Sequence, residues 1–340
     1  MTGADDRPGL AFAFAPLEVE ALFMPDDLAR LDGLCRIIEA TPLRRLDDDR
    51  ARRVLARTQI LVAGWGCPRL DAAVLAAAPQ LRLVAHSGGS VKTLVSPELF
   101  TRGIRLVGAA DANALPVAEF TLAAILFANK RVLDFATRYR RERRGLELYL
   151  SVDQTVGNYG RTIGIVGASR IGRRVIELLR PFDLRVLLAD PFVSAAEARA
   201  LGAELVLLAD LLRRSDVVSV HAPSLPETRH LIDAAGLALL RDGAVLINTS
   251  RGALIDQQAL IDELRTGRIS AMLDVTEPDV LPAESPLYDL PNVLLTPHIA
   301  GAMGDEHFRL GRLVTDEVER FVRGEPLRHE LDPKTLDRQA

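Results

Sequence analysis

Short apolar runs alternate along the whole chain with stretches whose apolar residues recur every three or four positions. In the first third, residues 10–14, 59–63, 81–86 and 104–108 predict strands. They are short and almost wholly apolar, as strands buried on both faces of a sheet must be. Between them, residues 26–39 predict a helix that turns Leu28, Leu31, Leu34 and Ile38 to one side, and residues 71–78 a second that stops before Pro79. A long helix is predicted over residues 116–139, with Pro116 in its first turn, where a missing N–H costs little. A looser segment, residues 145–159, precedes a second βα series. Its strands are predicted at 162–167, 184–189, 217–221, 244–248, 271–275 and 293–295, and a closing helix at 303–322. Strands that alternate with helices in this way predict an α/β fold of two doubly wound parallel-sheet domains. The functional site is expected in the cleft between them, because open α/β sheets bind ligands at the carboxyl ends of their strands.

Composition narrows the class. With 340 residues, of which 48% are hydrophobic and 26% charged, the chain can bury two cores and stay soluble. A net charge of -4 provides no basic field for nucleic acid or anionic lipid, so neither partner is expected. The two cysteines, Cys35 and Cys67, cannot form a disulfide framework and point to the cytoplasm. Asp5 and Asp6 stand where a secretory signal would carry cations, and uninterrupted apolar runs fall short of a membrane span. No pair among the six histidines has zinc-ligand spacing, so no metal is expected. The arginines of residues 138–144 are read as a solvated helix end.

The segment from Thr162 to Gly172 has the form of a phosphate-binding turn. An apolar strand runs into Gly167, a helix starts near Arg170, and its free N–H groups face an anion. Gly172 lets that helix approach the strand. Asp190 follows at the end of the next apolar run, where a carboxylate accepts hydrogen bonds from ribose hydroxyls and repels the extra phosphate of NADP; the cofactor expected is therefore NAD. Ser169 stands where such turns carry their middle glycine.

Beyond this turn, three successive predicted strands run into polar residues: Arg251 after 244–248, Glu277 and Asp279 after 271–275, and His298 after 293–295. Together they suit reduction of a 2-oxo acid. Arginine grips a carboxylate with two parallel N–H bonds and stays charged. Histidine donates a proton near neutral pH, and a neighbouring carboxylate keeps it protonated.

These motifs, with Asn113-Ala114, Val117-Ala118-Glu119, the run from His221 to Thr228 and Leu273-Asp274-Val275, resemble the D-isomer-specific 2-hydroxyacid dehydrogenase family, which includes glyoxylate/hydroxypyruvate reductases and phosphoglycerate dehydrogenases. The resemblance runs from about Gln59 to Val322. It implies a substrate-binding domain of residues 1–112 plus 304–340, a Rossmann NAD-binding domain of residues 113–303, and a homodimer built through the latter. It implies that Arg251 binds substrate and His298 is the acid/base, and that Asp274 contacts the nicotinamide carboxamide. Cofactor contacts are expected at Gly167, Ser169, Arg170, Ile171, Gly172, Asp190, His221, Pro223, Thr249 and Asp274.

Two departures stand out. The family's catalytic glutamate aligns without gaps on Asp279, whose side chain is shorter by roughly 1.5 Å; Glu277 is the alternative. The family's substrate loop is here His86-Ser87-Gly88-Gly89-Ser90-Val91-Lys92. Amides of Gly88, Gly89 and Ser90 are expected to hold the substrate carboxylate, and Lys92 would suit a second anionic group. Domain closure is expected to hinge near residues 110–113 and 297–301. The competing reading is a non-catalytic NAD(H)-binding sensor or corepressor-like protein on the same fold. With about 40 residues after His298, an appended regulatory domain of the kind found in regulated phosphoglycerate dehydrogenases is not expected.

Overall fold

The computed structural model describes residues 6–143, 145, 147 and 156–338. The chain divides into two compact units, Met1–Asn113 with Ala302–Ala340, and Ala114–Gly301.

The first unit is built on five parallel strands: β1 (Gly9–Ala13), β2 (Arg36–Glu39), β3 (Ile60–Ala63), β4 (Leu83–His86) and β5 (Arg105–Gly108). Their order across the sheet is β2-β1-β3-β4-β5. Strand period fixes which side chain goes to which face. Leu10, Phe12, Ile60 and Val62 enter one core, whereas Ala11, Ala13, Leu61 and Ala63 enter the other. The helix His307–Val322 returns from the far end of the chain to the first of these cores. Leu310, Val314 and Val318 recur every four residues on its buried face, and all are fully buried.

The second unit carries seven parallel strands: β6 (Thr162–Val166), β7 (Arg185–Ala189), β8 (Glu204–Leu205), β9 (Val217–Val220), β10 (Val245–Asn248), β11 (Ser270–Leu273) and β12 (Val293–Leu295). Their order is β12-β11-β10-β9-β6-β7-β8. The chain reverses direction across the sheet between β6 and β9, and this switch point is where open α/β sheets leave a crevice for ligands.

Two expectations need correction, and two elements were not predicted. The helix predicted over 26–39 ends at Leu34, and Arg36–Glu39 pairs with β1 as an edge strand. A four-residue strand at a sheet edge is too short and too polar to show in the apolar pattern. The helix Asp49–Leu55, capped by Asp48, was hidden by its charged sequence. Pro116 lies in the second turn of a helix that starts earlier, Ala110–Asn129; a break at Arg131, whose φ is +48°, separates it from a second helix, Val132–Glu142. The short edge strand β8 also escaped the pattern. The segment predicted as looser, residues 145–159, lies largely outside the described residues, as does Arg144.

By length and composition Ala110–Asn129 is apolar enough to cross a membrane. Its Ala118, Ile125 and Ala128 instead pack into the core of the second unit.

Candidate functional site

The glycine turn sits at the β6/β9 switch point. Gly167 has φ +96°, and a Cβ there would lie 2.6 Å from the amide nitrogen of Ala222. A Cβ on Gly172 would lie 2.1 Å from the carbonyl oxygen of Gly167. Both positions therefore exclude any side chain, and the backbone stays bare where a pyrophosphate would approach. Ser169 is the N-cap of the helix Arg170–Leu179, its hydroxyl accepting from the Gly172 N–H at 3.3 Å. The residue that departs from the glycine pattern thus gains a capping role. Of the turn's remaining members, Ile171 is half-buried and Arg170 exposed.

Asp190, at the end of β7, ties the turn together. Its Oδ2 accepts from the Ala168 N–H at 2.7 Å and its Oδ1 from the Phe192 N–H at 2.8 Å. An ionised carboxylate has about four acceptor positions, so capacity remains for two ribose hydroxyls. The residues present fit a dinucleotide: a side-chain-free turn, a ten-residue helix pointing its N-terminus at the turn, and an oriented acid.

His221 follows β9 and is 1% exposed. Its Nε2 lies 2.9 Å from the Ser219 hydroxyl, and burial pushes its pKa down to about 3. Its backbone and Cβ press against Gly167 and Gly172, so this residue shapes the turn from beneath. Pro223 is half-buried, and its carbonyl accepts from the Thr228 hydroxyl at 2.6 Å. Thr249 is buried with its hydroxyl 3.0 Å from that of Thr121.

β10 delivers Arg251. The turn is locked by Asn248, whose Nδ2 donates to the Arg251 carbonyl at 2.8 Å while its Oδ1 accepts from the Ser250 N–H at 3.0 Å. Gly252 admits no side chain, because a Cβ would stand 2.1 Å from the Thr276 carbonyl carbon. The Arg251 side chain is half-buried and donates to the Ser250 carbonyl at 2.6 Å. Among the described residues it makes no ion pair within 4.0 Å. Burial lowers its pKa, and the charge that opposes this is Asp279.

β11 delivers the acids. Asp274 is 3% exposed and holds three donors: Oδ1 accepts from the Thr296 hydroxyl at 2.6 Å and the Ile299 N–H at 2.8 Å, and Oδ2 from the Ala300 N–H at 2.9 Å. It therefore folds the segment that carries His298. His298 has φ +56°, a region that costs a side-chain-bearing residue energy and persists only where neighbours enforce it. The enforcement is visible: its N–H donates to the Asp274 carbonyl at 2.9 Å. The imidazole is exposed, and no ion pair joins it to a carboxylate among the described residues.

Glu277 and Asp279 part company. Glu277 pairs with Arg229 at 2.8 Å, which lowers its pKa, while its backbone is gripped on both sides by the Gln257 amide at 2.9 and 2.8 Å. Asp279 is exposed and acts on Arg251. Neither Gln257 nor Arg229 was singled out from the sequence: a glutamine or arginine clamping a loop from a distant element leaves no local pattern.

In the first unit β4 ends in His86, 3% exposed, and the glycine loop lies over it. A Cβ on Gly88 would stand 2.5 Å from His86 Nε2, and one on Gly89 would stand 2.9 Å from Asn113 Nδ2. Burial pushes the His86 pKa down to about 4, so the ring under the loop is neutral. Gly89 and Ser90 are half-buried, Lys92 is exposed, and the Lys92 N–H donates to the Ser90 hydroxyl at 3.4 Å. The glycine turn, Arg251, Asp274, Asp279 and His298 thus belong to the second unit, and Gly88, Gly89, Ser90 and Lys92 to the first.

Residues 122–300 match the model of the D-isomer specific 2-hydroxyacid dehydrogenase, NAD binding domain. A glyoxylate reductase of Korarchaeum cryptofilum is 35% identical over 291 residues, which cover 84% of this chain and 85% of that protein. A D-3-phosphoglycerate dehydrogenase of Mycobacterium leprae is 36% identical over 75% of this chain, and the match spans 48% of that longer protein. Among solved structures, the apo D-mandelate dehydrogenase of Rhodotorula graminis superposes with a TM-score of 0.80 at 26% identity, covering 96% of this chain and 98% of that one. The cofactor of the matched domain is NAD, and this chain belongs to the D-isomer specific 2-hydroxyacid dehydrogenase family.

Proposed function

We propose that the chain is an NAD(H)-dependent oxidoreductase that interconverts a small 2-oxo acid and the corresponding 2-hydroxy acid. The observation that carries this reading is Arg251. It is a half-buried guanidinium beyond the carboxyl end of a central strand, with no bidentate carboxylate partner among the described residues. A buried cation left in that state suits an anionic ligand. Arg251 grips the substrate carboxylate and draws electron density from the ketone oxygen. His298 gives its proton to that oxygen as it becomes an alkoxide, and Asp279 favours the charged imidazole. The cofactor, when bound, supplies the hydride that completes the reduction. Amides of Gly88, Gly89 and Ser90 assist with the carboxylate, and Lys92 selects for a second anionic group on the substrate. Asp190 holds the adenosine ribose and disfavours NADP. Gly167, Ser169, Arg170, Ile171 and Gly172 face the pyrophosphate, with His221, Pro223, Thr249 and Asp274 along the rest of the cofactor. The reductase of K. cryptofilum, matched over most of its length, supports glyoxylate-sized substrates. We further propose a cytoplasmic homodimer; the unpaired Cys35 and Cys67 suit a reducing compartment.

The test is NADH oxidation against glyoxylate, hydroxypyruvate, pyruvate and phenylpyruvate. One acid is expected to turn over, and Arg251→Ala to lower kcat/KM by about 100-fold or more while NADH affinity stays unchanged. Near-normal turnover in that variant would overturn the role given to Arg251.

A further inference from the structure

The carboxylate of Asp279 is exposed and makes no hydrogen bond or ion pair among the described residues, so its place is set by its backbone. The Thr276 hydroxyl donates to the Pro278 carbonyl at 2.8 Å and to the Asp279 carbonyl at 3.2 Å. Those bonds shape the turn. What fixes it to the rest of the second unit lies elsewhere.

Two contacts do so, and both come from the segment that carries Arg251. Gly252 lies against the Thr276–Glu277 peptide: a Cβ on it would stand 2.1 Å from the Thr276 carbonyl carbon and 2.6 Å from the Glu277 nitrogen. Five residues later Gln257 opens the helix Gln257–Arg265, whose N-cap Asp256 accepts from the Ala259 N–H at 3.1 Å. The Gln257 side chain is half-buried; its Oε1 accepts from the Glu277 N–H at 2.9 Å and its Nε2 donates to the Glu277 carbonyl at 2.8 Å. A backbone N–H only donates and a carbonyl only accepts, so the two atoms of the amide are assigned by their partners. Paired bonds to one residue fix its distance and its plane together, as they do in a β-ladder.

The charged groups around the loop do not replace this clamp. Arg229 pairs with Glu277 at 2.8 Å, but the pair is exposed and grips a side chain that turns about its own bonds. His230 acts on Glu277 only through its field. Arg251 and Asp279 feel each other's charge, yet no ion pair joins them among the described residues.

We propose that Gln257 is a positioning residue for the reaction, clamping the Glu277 peptide so that Asp279 is held in register with the segment of Arg251, an inference that rests on the proposed role of Asp279. The Asp279 side chain is short and has no donor of its own, so slack in the loop passes directly to its carboxylate. A nearby anion favours the protonated imidazole, and reduction needs that form of His298. Loss of the clamp therefore moves the alkaline limb of the reduction to lower pH.

The experiment is NADH-driven reduction of glyoxylate, hydroxypyruvate, pyruvate and phenylpyruvate, followed for the acid with the highest turnover across the alkaline range. Four proteins are compared: native, Gln257→Met, Asp279→Asn and the double variant. Methionine keeps the length of the side chain and removes both bonds. Gln257→Met is expected to lower kcat at least about tenfold with KM within about threefold, and to move the alkaline limb of kcat down by at least about half a pH unit. Asp279→Asn should move the same limb at least as far. In the double variant Gln257→Met should change kcat by less than about twofold beyond Asp279→Asn, as when one residue acts through the other. NADH affinity should stay unchanged throughout. If Gln257→Met fails to fold, Gln257→Glu takes its place in the cycle, since it still accepts from the Glu277 N–H but no longer donates to the carbonyl. A limb that moves in Asp279→Asn but not in the Gln257 variant overturns the proposal and leaves the role of Asp279 intact. A limb that moves in neither, or no turnover of any acid, overturns that role and the proposal with it. Equal losses with and without the Asp279 carboxylate would make Gln257 a general support of the fold, which also overturns it.

Discussion

At residue scale, Glu277 and Asp279 present two carboxylates on one loop whose surroundings give them different work. Glu277 already neutralises Arg229, and its pKa is lowered by that bond; its backbone is held by Gln257. Asp279 makes no ion pair among the described residues, and its charge acts on Arg251. On the proposed mechanism Asp279 acts with His298, despite a side chain shorter than the family's glutamate. Asp279→Asn should then lower kcat by about 100-fold, the size of a general acid–base contribution. Glu277→Gln should stay within about threefold of the native enzyme. The comparison is one of steady-state kcat at saturating substrate, and a larger loss in Glu277→Gln would reverse the assignment. The residues were legible in the sequence because polar groups after apolar strands are conspicuous. What separates the two acids was not legible, since Arg229 and Gln257 reach them from elements far away in the chain.

At the scale of the element, the glycine turn shows how one substitution in a pattern is absorbed. Ser169 costs the turn its middle glycine but caps the helix Arg170–Leu179, supplying an acceptor to one of the N–H groups a helix start leaves over. Ser169→Ala should destabilise the protein by about 1 kcal/mol, whereas Ser169→Gly should cost only a few tenths. Urea unfolding of the two variants checks this, and equal losses would mean that the hydroxyl does not cap. Strands in the middle of each sheet could be read from sequence because burial on both faces makes their runs wholly apolar. The edge strands Arg36–Glu39 and Glu204–Leu205 could not, since each begins with a charged residue and holds only one or two apolar ones. Pro116 misled for a different reason. A proline marks a first turn only by preference, and the packing of Ala118, Ile125 and Ala128 sustains the helix around it.

At the scale of the whole molecule, each unit buries one neutral histidine below a glycine turn: His86 under Gly88 in the first, His221 under Gly167 and Gly172 in the second. Burial pushes their pKa values down to about 4 and about 3, whereas both titrate near 6.5 when the chain unfolds. The unfolded state therefore binds protons that the folded state refuses. The stability that depends on this is fully present above about pH 6.5 and falls as the pH drops toward the folded values. Between about pH 7.5 and about pH 5.5 the two histidines together should cost about 2–3 kcal/mol. Glu204 and Glu330 have pKa values lowered by Arg214 and Arg105, so their contribution is lost only at still lower pH and leaves this window to the histidines. Urea midpoints across the window should fall for the native protein and fall about half as far in His86→Asn or His221→Asn. Parallel curves for all three proteins would show that these rings are protonated in the folded state. The neutral ring under each turn would then have to be given up, along with the claim that both turns rest on the same kind of support.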